Sequence, residues 1–348
     1  MLGTLGARVI YIVLCAAILM AWTVVLTAQE ASAPELAPLP EGDSGIAAKY
    51  PGDAGIEKDR AVLFYDNFED VAKPDELKKK WDFAVVHAEA MRITEVAANV
   101  HGGRRALEIE VPRQKEELSP GVGKGLKDEQ DVLFLRYYSK FEKGFDQVGS
   151  SHNGATISAH YNQNGRATPG VPADGKNKFL CCFEDWRGEA KTASPGDLNI
   201  YCYHPGQFDG YGDHFFPDGT VIPNSYARSG AASFGKQFVK RPNIIPELDR
   251  WYCYEFMVKA NTVGKRDGRI ACWLDGKLIA DFPNIRFRDI DSLKIDHFGV
   301  SLHIGSNTIR ANKKWYDDVV AATAYIGPVA KDKKAQPKTG GAGGGGAR

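Results

Sequence analysis

The sequence has no excess of either charge. Its 348 residues contain 44 Lys and Arg against 44 Asp and Glu, so the formal net charge is zero. Proteins that bind nucleic acid through their overall field carry a basic excess, and their basic residues cluster with aromatic ones. Neither feature is present, so we expect no nucleic-acid partner.

Cysteine is scarce, and the number of cysteines outside the N-terminal apolar run is odd. Of six cysteines, Cys15 lies in the N-terminal apolar run, which leaves five for the rest of the chain. A disulfide framework uses an even number. Cys181 and Cys182 are adjacent on a predicted strand and point to opposite faces, so only one of them can readily reach Cys202. One disulfide and buried free thiols both stay open as interpretations.

Several motifs of catalytic chemistry are missing. The eight histidines show no H-x3-H or H-E-x-x-H spacing, and the cysteines show no C-x2-C pair. No G-x-S-x-G is present, and the segment GVGKGLKD lacks the GK[ST] ending of a phosphate loop. We therefore expect no transition-metal centre, no serine nucleophile of this type and no cofactor.

A long apolar run occurs at the N-terminus. Arg8 precedes it, it spans residues 9–28, and the small-residue sequence Ala-Ser-Ala follows at 31–33. Residues 1–33 therefore predict a signal peptide. The run is also long enough to remain as a membrane anchor. Both interpretations predict a secreted or extracytoplasmic protein that touches a membrane only through this segment, if it is uncleaved.

The remaining chain divides by composition into three parts. Residues 34–58 contain Pro and Gly without an apolar period, which predicts an extended linker. Residues 59–327 hold about a dozen segments with strand-like alternation and no long helical pattern, which predicts one all-β sandwich domain. Residues 328–348 are basic and then Gly-rich, which predicts a disordered tail. We expect a monomer.

A hairpin near the middle of the chain is the clearest strand pair. It consists of residues 178–187 and 197–203, joined by a loop that contains Pro and Gly. In the second strand Asn199, Tyr201 and Tyr203 share one face, and the residues between them share the other. The first face presents two phenols about 7 Å apart. It can form the floor of a sugar-binding groove.

These segments resemble polysaccharide lyase family 14 and its bacterial relatives. The resemblance rests on FLRYYSKFEKGFD, on the KF…W strand before a Y-x-Y strand, on YGDHFFP and on KWYDDVVAATAYIGP. It implies a concanavalin A-like jelly roll over residues 60–327. It also implies β-elimination on an anionic, uronate-containing polysaccharide such as alginate. Similar scaffolds also serve as lectins and hydrolases, so a non-catalytic carbohydrate-binding or cell-surface module is the alternative.

β-Elimination needs donors that neutralise the uronate carboxylate, a base for the C5 proton and an acid for the departing oxygen. The Y-x-Y of the family corresponds to Tyr201 and Tyr203, which the resemblance makes catalytic candidates. The Ser-x-Arg of the family falls on Leu180 and Cys182, and its lysine segment is replaced by residues 150–154. Two cations that the family uses are therefore missing.

Two histidines are candidates to replace the missing cations. His152 lies in the segment that replaces the family lysine, and His303 lies on a predicted strand face away from the core. An imidazole can accept a proton near neutral pH or contact a carboxylate. The alternative for His152 is a solvated or turn-stabilising side chain, and the alternative for His303 is a position on a solvated strand face.

Six further residues are candidates for substrate binding. Glu184 and Asp185 are adjacent and face opposite ways, so they cannot form the carboxylate pair of a glycoside hydrolase. Glu184 alone remains a groove candidate, and a hydrolase that uses it with another partner is a third alternative. Charged, amide and aromatic side chains near the hairpin complete the set: Lys178, Glu184, Trp186, Arg187, Asn199 and Tyr211.

Four carboxylates lie on the first and last predicted strands, which are often neighbours in jelly rolls: Asp66, Glu69, Asp317 and Asp318. Carboxylate oxygens are the hard ligands that Ca²⁺ prefers. A structural calcium site is one hypothesis for this set, and solvated charges are the other.

Overall fold

The computed structural model describes residues 36–83, 88–149, 151–163, 166–188, 192–207, 210–223, 234–305 and 310–331. The predicted signal peptide or anchor lies outside these residues, and so does the part of the predicted tail (328–348) that begins at residue 332. A compact unit that begins at Pro38 contains every element named below. Within the described ranges, no helix has the length and apolar character needed to cross a bilayer.

Nineteen strands and seven short 3-10 helices form the described fold. The strands are β1 (Val62–Asp66), β2 (Met91–Thr94), β3 (Ala106–Val111), β4 (Gly121–Gln130), β5 (Val132–Phe141), β6 (Ser151–His152), β7 (Ala155–Ala159), β8 (Asn162–Gln163), β9 (Arg166–Ala167), β10 (Phe179–Trp186), β11 (Asp197–Tyr203), β12 (Asp213–Phe215), β13 (Val221–Pro223), β14 (Tyr252–Lys259), β15 (Gly268–Leu274), β16 (Lys277–Ile285), β17 (Ile295–Ser301), β18 (His303–Ile304) and β19 (Asn312–Ala322). The 3-10 helices are Gly42–Ser44, Ile46–Lys49, Pro51–Asp53, Ile56–Lys58, Pro74–Lys79, Ala88–Ala90 and Ala97–Asn99.

Two antiparallel sheets form a sandwich. The eight-stranded sheet has the order β16-β15-β14-β5-β19-β3-β2, with β1 paired to β19. The seven-stranded sheet has the order β13-β12-β11-β10-β7-β17-β4, and β6–β18 and β8–β9 form two small ribbons. The predicted all-β sandwich is confirmed. The predicted hairpin is also present, because β10 and β11 pair in antiparallel register.

The main core lies between the two sheets and follows from the alternation of the strands. Phe183 and Ile200 are opposite each other on β10 and β11, and Leu135 and Phe256 are opposite each other in the facing sheet. All four side chains are buried, and the rings of Phe183 and Phe256 lie 5.8 Å apart across the sandwich. Each such side chain contributes about 1.5–3 kcal/mol when it leaves water.

The described cysteines are free thiols, and all five are buried. Cys181 lies directly opposite Cys202, with their Sγ atoms 3.8 Å apart on the core face of the hairpin. Cys182 points to the other face. The free-thiol interpretation therefore describes this structure.

Residues 42–58, which we name the covering segment, pack on the outer face of the eight-stranded sheet. Ile46 and Ile56 are buried there in one cluster with Trp273 and Ile326. Asp53 forms a buried ion pair with Arg136 of β5. The prediction of an extended linker is wrong for these residues. Their partners are far away in the sequence, so local composition could not reveal the contacts.

Candidate functional site

A groove runs across the outer face of the seven-stranded sheet and holds a cavity of about 640 Å³. Its lining comes from β4, β17, β7, β10 and β11 and from the β6–β18 ribbon. Tyr201, Tyr203, His152 and His303 all line it. The structure thus brings the four predicted catalytic residues into one site.

The strand register arranges the groove side chains in rows. One row runs from His297 through Ser158 and Leu180 to Tyr203, each residue being the cross-strand partner of the next. Because neighbouring strands lie about 4.8 Å apart, this row forms a continuous wall. The groove follows from pairing between strands that are separate in sequence.

The next row forms the floor and has small side chains. It runs from Gly299 through Thr156 and Cys182 to Tyr201. A Cβ atom on Gly299 would lie 2.5 Å from the carbonyl oxygen of Val122, so a larger residue does not fit. Small residues between the wall and the β6–β18 ribbon leave the volume that a ligand can occupy.

Strand β4 contributes glycines to the same face. The segment that superficially resembled a phosphate loop is this strand, where Gly121 and Gly123 line the groove. A Cβ on Gly123 would lie 2.6 Å from Nε2 of His297. Glycine is therefore required there for the His297 ring to occupy its position.

His152 is held by a buried carboxylate. Its Nδ1 lies 2.8 Å from Oε2 of Glu184, whose side chain is fully buried. Burial lowers the pKa of His152, but the charge of Glu184 and the hydrogen bond outweigh this effect, so the pKa is raised overall. When Nδ1 carries the proton that Glu184 accepts, the lone pair of the neutral ring lies on Nε2.

His303 lies beside His152, and its pKa shifts in the opposite direction. The two residues are opposite each other in the β6–β18 ribbon, and their rings stack at 5.1 Å. Nδ1 of His303 is within hydrogen-bond distance of the Ser119 hydroxyl. Burial and the neighbouring His152 lower the pKa of His303 to about 3. His303 is therefore neutral at physiological pH and is a hydrogen-bonding group.

The two tyrosines form the other side of this cluster. The Tyr201 ring lies 4.4 Å from the His152 ring and meets the Tyr203 ring edge-on at 5.6 Å. The Tyr201 hydroxyl accepts a hydrogen bond from the backbone N–H of Gly212 at 3.0 Å. Burial raises the pKa of both phenols. Both are therefore protonated at neutral pH and are suited to donate a proton.

Lys178 lies behind the tyrosines and is fully buried. Its ammonium group donates to the backbone oxygen and the hydroxyl of Thr168, and it lies 4.7 Å from the ring centres of Tyr161 and Tyr203. Burial lowers its pKa to about 8. Lys178 packs against the tyrosine wall and is not among the described residues that line the groove.

The other predicted substrate-binding residues separate into three environments. Tyr211 lines the groove and is half exposed. Asn199 is buried and does not line the groove, and its side-chain oxygen lies 2.9 Å from Nδ1 of His214. Trp186 stacks on His214 at 4.6 Å, and Arg187 pairs with Asp146. Neither Trp186 nor Arg187 is among the residues that line the groove.

The four carboxylates proposed for calcium have protein partners. Asp66 accepts hydrogen bonds from Lys80 and from the Trp81 indole. Glu69 accepts the backbone N–H groups of residues 104 and 105, Asp317 those of residues 101 and 102, and Asp318 pairs with the His101 ring. In the described parts of the chain, no group of three metal-ligating side chains forms. These contacts argue against the calcium hypothesis.

The groove carries little positive charge. No Lys or Arg side chain is among the described residues that line it. Glu117, on the rim, is a lining carboxylate whose side chain is 67% exposed. Leu180 lies in the wall and Cys182 in the floor, and these are the two positions on which the Ser-x-Arg of the family falls. The sequence prediction that cations are missing there agrees with this lining.

His297 is a groove residue that the sequence analysis missed. It stacks edge-on with Phe83 at 5.1 Å, and neither of its ring nitrogens has a hydrogen-bond partner in the described structure. Burial lowers its pKa to about 4. The alternation of His297, Gly299 and Ser301 along β17 was the available signal. It does not show which strands lie beside β17.

No protein-family model and no curated protein matches the sequence. Solved structures do match. Alginate lyase Aly36B has a TM-score of 0.50 and 14% identity, covering 78% of this chain and 96% of that one. A mutant of it in complex with an alginate tetrasaccharide has a TM-score of 0.51 and 15% identity, covering 76% and 98%.

A glucuronan lyase from the fungus Trichoderma reesei has a TM-score of 0.47 and 16% identity, covering 76% of this chain and 96% of that one. This score is too low to support an argument. The two Aly36B structures establish the fold at this low identity, and the fold alone. The predicted jelly-roll sandwich and the resemblance to lyases of this type are confirmed at that level.

Proposed function

We propose that this chain is a polysaccharide lyase-like enzyme that cleaves a uronate-containing polysaccharide by β-elimination in the groove. One observation carries the proposal. His152, oriented by the buried Glu184, lies beside the protonated Tyr201 in an open cavity of about 640 Å³. The similar Aly36B structure is described as an alginate lyase, and its mutant binds an alginate oligosaccharide, which supports this reaction class.

The proposed reaction uses His152 as the base and Tyr201 as the acid. Nε2 of neutral His152 accepts the C5 proton, and Glu184 stabilises the imidazolium that forms. The C4–O bond breaks as the C4=C5 double bond forms. The Tyr201 phenol, which is protonated at neutral pH, donates its proton to the departing glycosidic oxygen. One proton is taken and one is given, so the step balances.

The test is product formation on a panel of uronate polysaccharides that includes alginate, glucuronan and homogalacturonan. Purified protein is expected to produce the ultraviolet absorbance of an unsaturated uronate, and mass spectrometry is expected to find fragments whose masses sum to that of the parent without added water. Fragments that carry added water would indicate hydrolysis and would contradict the proposal. A complete absence of products across the panel would also contradict it.

The second candidate is a carbohydrate-binding module without catalysis. The observation that favours it is the lack of Lys and Arg among the described lining residues, together with the aromatic wall of Tyr161, Tyr203 and Tyr211. Aromatic faces bind sugar rings without any chemistry. This function predicts retention of glycans on an array with no product, and weaker retention for Tyr203→Ala.

Export belongs to the same proposal. We infer that residues 1–33 direct the protein out of the cytoplasm, where a polysaccharide substrate is accessible, and that it acts as a monomer. N-terminal sequencing of the mature protein tests cleavage, and light scattering tests the mass. If the protein were found in the membrane fraction with an intact N-terminus, residues 1–33 would be a membrane anchor and not a cleaved signal peptide.

A further inference from the structure

We propose that the uronate bound in the groove carries an esterified carboxyl group. This inference rests on the proposed function and names its substrate class. The reason is electrostatic: the described lining offers polar and aromatic contacts but no Lys or Arg side chain that would offset a carboxylate. Moving an unpaired carboxylate from water into a partly enclosed site is costly, whereas an ester has no charge to desolvate.

The floor and wall give the first support. Leu180 and Cys182 project into the groove from β10, are 5% and 7% exposed, and belong to one apolar cluster with Tyr201 and Tyr203. The Cys182 thiol lies 3.3 Å from the Thr156 hydroxyl and is protonated, because burial raises its pKa. A carboxylate above these side chains would lose water without gaining an opposite charge.

The titratable groups around the groove give the second support. Lys178 directs its ammonium to Thr168 and is fully buried, so it cannot reach a ligand. His297 and His303 are neutral, and the charge of a protonated His152 is balanced by Glu184. Glu117 adds negative charge at the rim. The side chains that line the described groove therefore carry no net positive charge, and the Lys178 ammonium lies behind the tyrosine wall, which suits an uncharged ester better than a carboxylate.

The chemistry of elimination gives the third support. Removing the C5 proton places negative charge on the adjacent carboxyl group, and a carboxylate needs a cation to accept this second charge. An ester carbonyl accepts it as an enolate, so neutral donors such as imidazole N–H and hydroxyl groups are sufficient. The ester itself stays intact. Only the C5–H and C4–O bonds break, as in the proposed function.

Matched pairs of substrates test the inference. Methyl-esterified homogalacturonan is compared with its saponified form, propylene glycol alginate with alginate, and methyl-esterified glucuronan with the free acid. The assay follows unsaturated product near neutral pH, with enzyme-free controls because esters eliminate spontaneously in base. We expect kcat/KM to be at least about tenfold higher for the cleaved ester than for its acid.

The outcomes separate the two proposals. Equal or faster cleavage of the free acid would overturn the ester inference and leave the proposed function standing. No cleavage of any ester or acid would overturn both. Cleavage confined to esters supports both, and mass spectrometry must then find the alkyl group still on the unsaturated product, because its loss would indicate an esterase.

A pair of variants at the floor isolates the role of charge. Cys182→Arg places a cation where the groove has none, and Cys182→Met adds comparable length without charge. We expect the arginine variant to move the acid-to-ester ratio of kcat/KM toward the acid by about tenfold or more relative to the methionine variant. An equal ratio in two folded variants would contradict the electrostatic argument.

Discussion

The outer face of the eight-stranded sheet is covered by the chain itself, whereas the outer face of the seven-stranded sheet is open. The covered face presents Met257, Trp273 and Val320, and the covering segment buries them with Ile46 and Ile56. The open face presents glycine, histidine and tyrosine around a cavity. In each sheet, the inner face packs into the core and the outer face is the one described here. The outward-facing residues therefore decide which sheet serves as scaffold and which can bind.

The polar groups of the two faces differ in the same way. On the covered face, the terminal nitrogens of Arg136 donate to Asp53, although its Nε has no partner in the described structure. The Glu255 carboxylate accepts the backbone N–H groups of Ile326 and Gly327. On the open face, both ring nitrogens of His297 lack a hydrogen-bond partner in the described structure. Buried polar groups are usually satisfied, and unsatisfied ones cluster where a ligand completes them. The two unpartnered ring nitrogens of His297 therefore support the proposal that the open face binds the ligand.

The largest effect is expected from His152→Gln on the open face. Gln can still donate to Glu184 but cannot accept the C5 proton, so kcat should fall by about 10²- to 10⁴-fold. Steady-state kinetics on the best substrate measures it. His160→Asn is the control, because His160 pairs with Glu129 away from the groove lining and Asn tolerates its positive φ. Activity of His152→Gln within tenfold of the parent would rule out this base.

On the covered face the corresponding change is Arg136→Met. It leaves Asp53 buried without its partner, so the free energy of unfolding should fall by about 3–5 kcal/mol. Urea denaturation measures this loss. Lys49→Ala is the control in the same segment, since the Lys49 side chain is 67% exposed and its pair with Asp59 is solvated. If both variants lost the same stability, the buried pair would not be what holds the covering segment.

Gly123→Ala tests whether the shape of the open face matters for binding. Its Cβ would displace the His297 ring from the groove wall, and we expect the ligand affinity to fall by about tenfold, which is ~1.4 kcal/mol. Gly125→Ala on the same strand is the matched control, because its Cβ would meet only Asp82 Oδ2 at 3.5 Å. Calorimetry with an oligosaccharide compares the two variants. Equal affinities would place the ligand away from His297.

The smallest effect is expected in the pH profile of Glu184→Gln. A base must be deprotonated, so kcat/KM should rise with pH through the pKa of His152. The Glu184 carboxylate raises that pKa, and removing its charge should therefore shift the rising limb to lower pH. The matched control is the pH profile of Glu129→Gln, which removes the carboxylate from the His160–Glu129 pair away from the groove lining and leaves Glu184 intact. An unchanged limb in Glu184→Gln would mean that the limb belongs to another group.

The strands of the groove could be predicted, but their neighbours could not. Alternation along the hairpin correctly placed Tyr201 and Tyr203 on one face, and the structure adds that Tyr201 pairs with Cys182 of β10. His297 reaches the same wall only through Ser158 on β7, a strand far from it in sequence. Alternation reports the face of one strand and carries no information on sheet order. The composition of the wall therefore becomes visible only when the pairing of β17, β7, β10 and β11 is known.

The covering segment shows the same limit for packing. Pro and Gly in residues 34–58 predicted an extended linker, yet residues 42–58 form four short 3-10 helices, with the positive-φ Gly55 between the last two. The buried partners of Ile46 and Asp53 lie on strands and at residue 326, far along the chain. Trp186 and Arg187 were candidates for substrate binding as an aromatic and a charged side chain of the hairpin, and in the structure they contact His214 and Asp146.

The central claim is that the open face binds the polysaccharide with its scissile bond beside His152. A crystal structure of His152→Gln with a uronate oligosaccharide tests it most directly. We predict that C5 of one sugar lies within about 3–4 Å of the Gln side chain and that the glycosidic oxygen faces the Tyr201 hydroxyl. A sugar bound on the covered face, or one bound in the groove with C5 directed away from residue 152, would contradict the account.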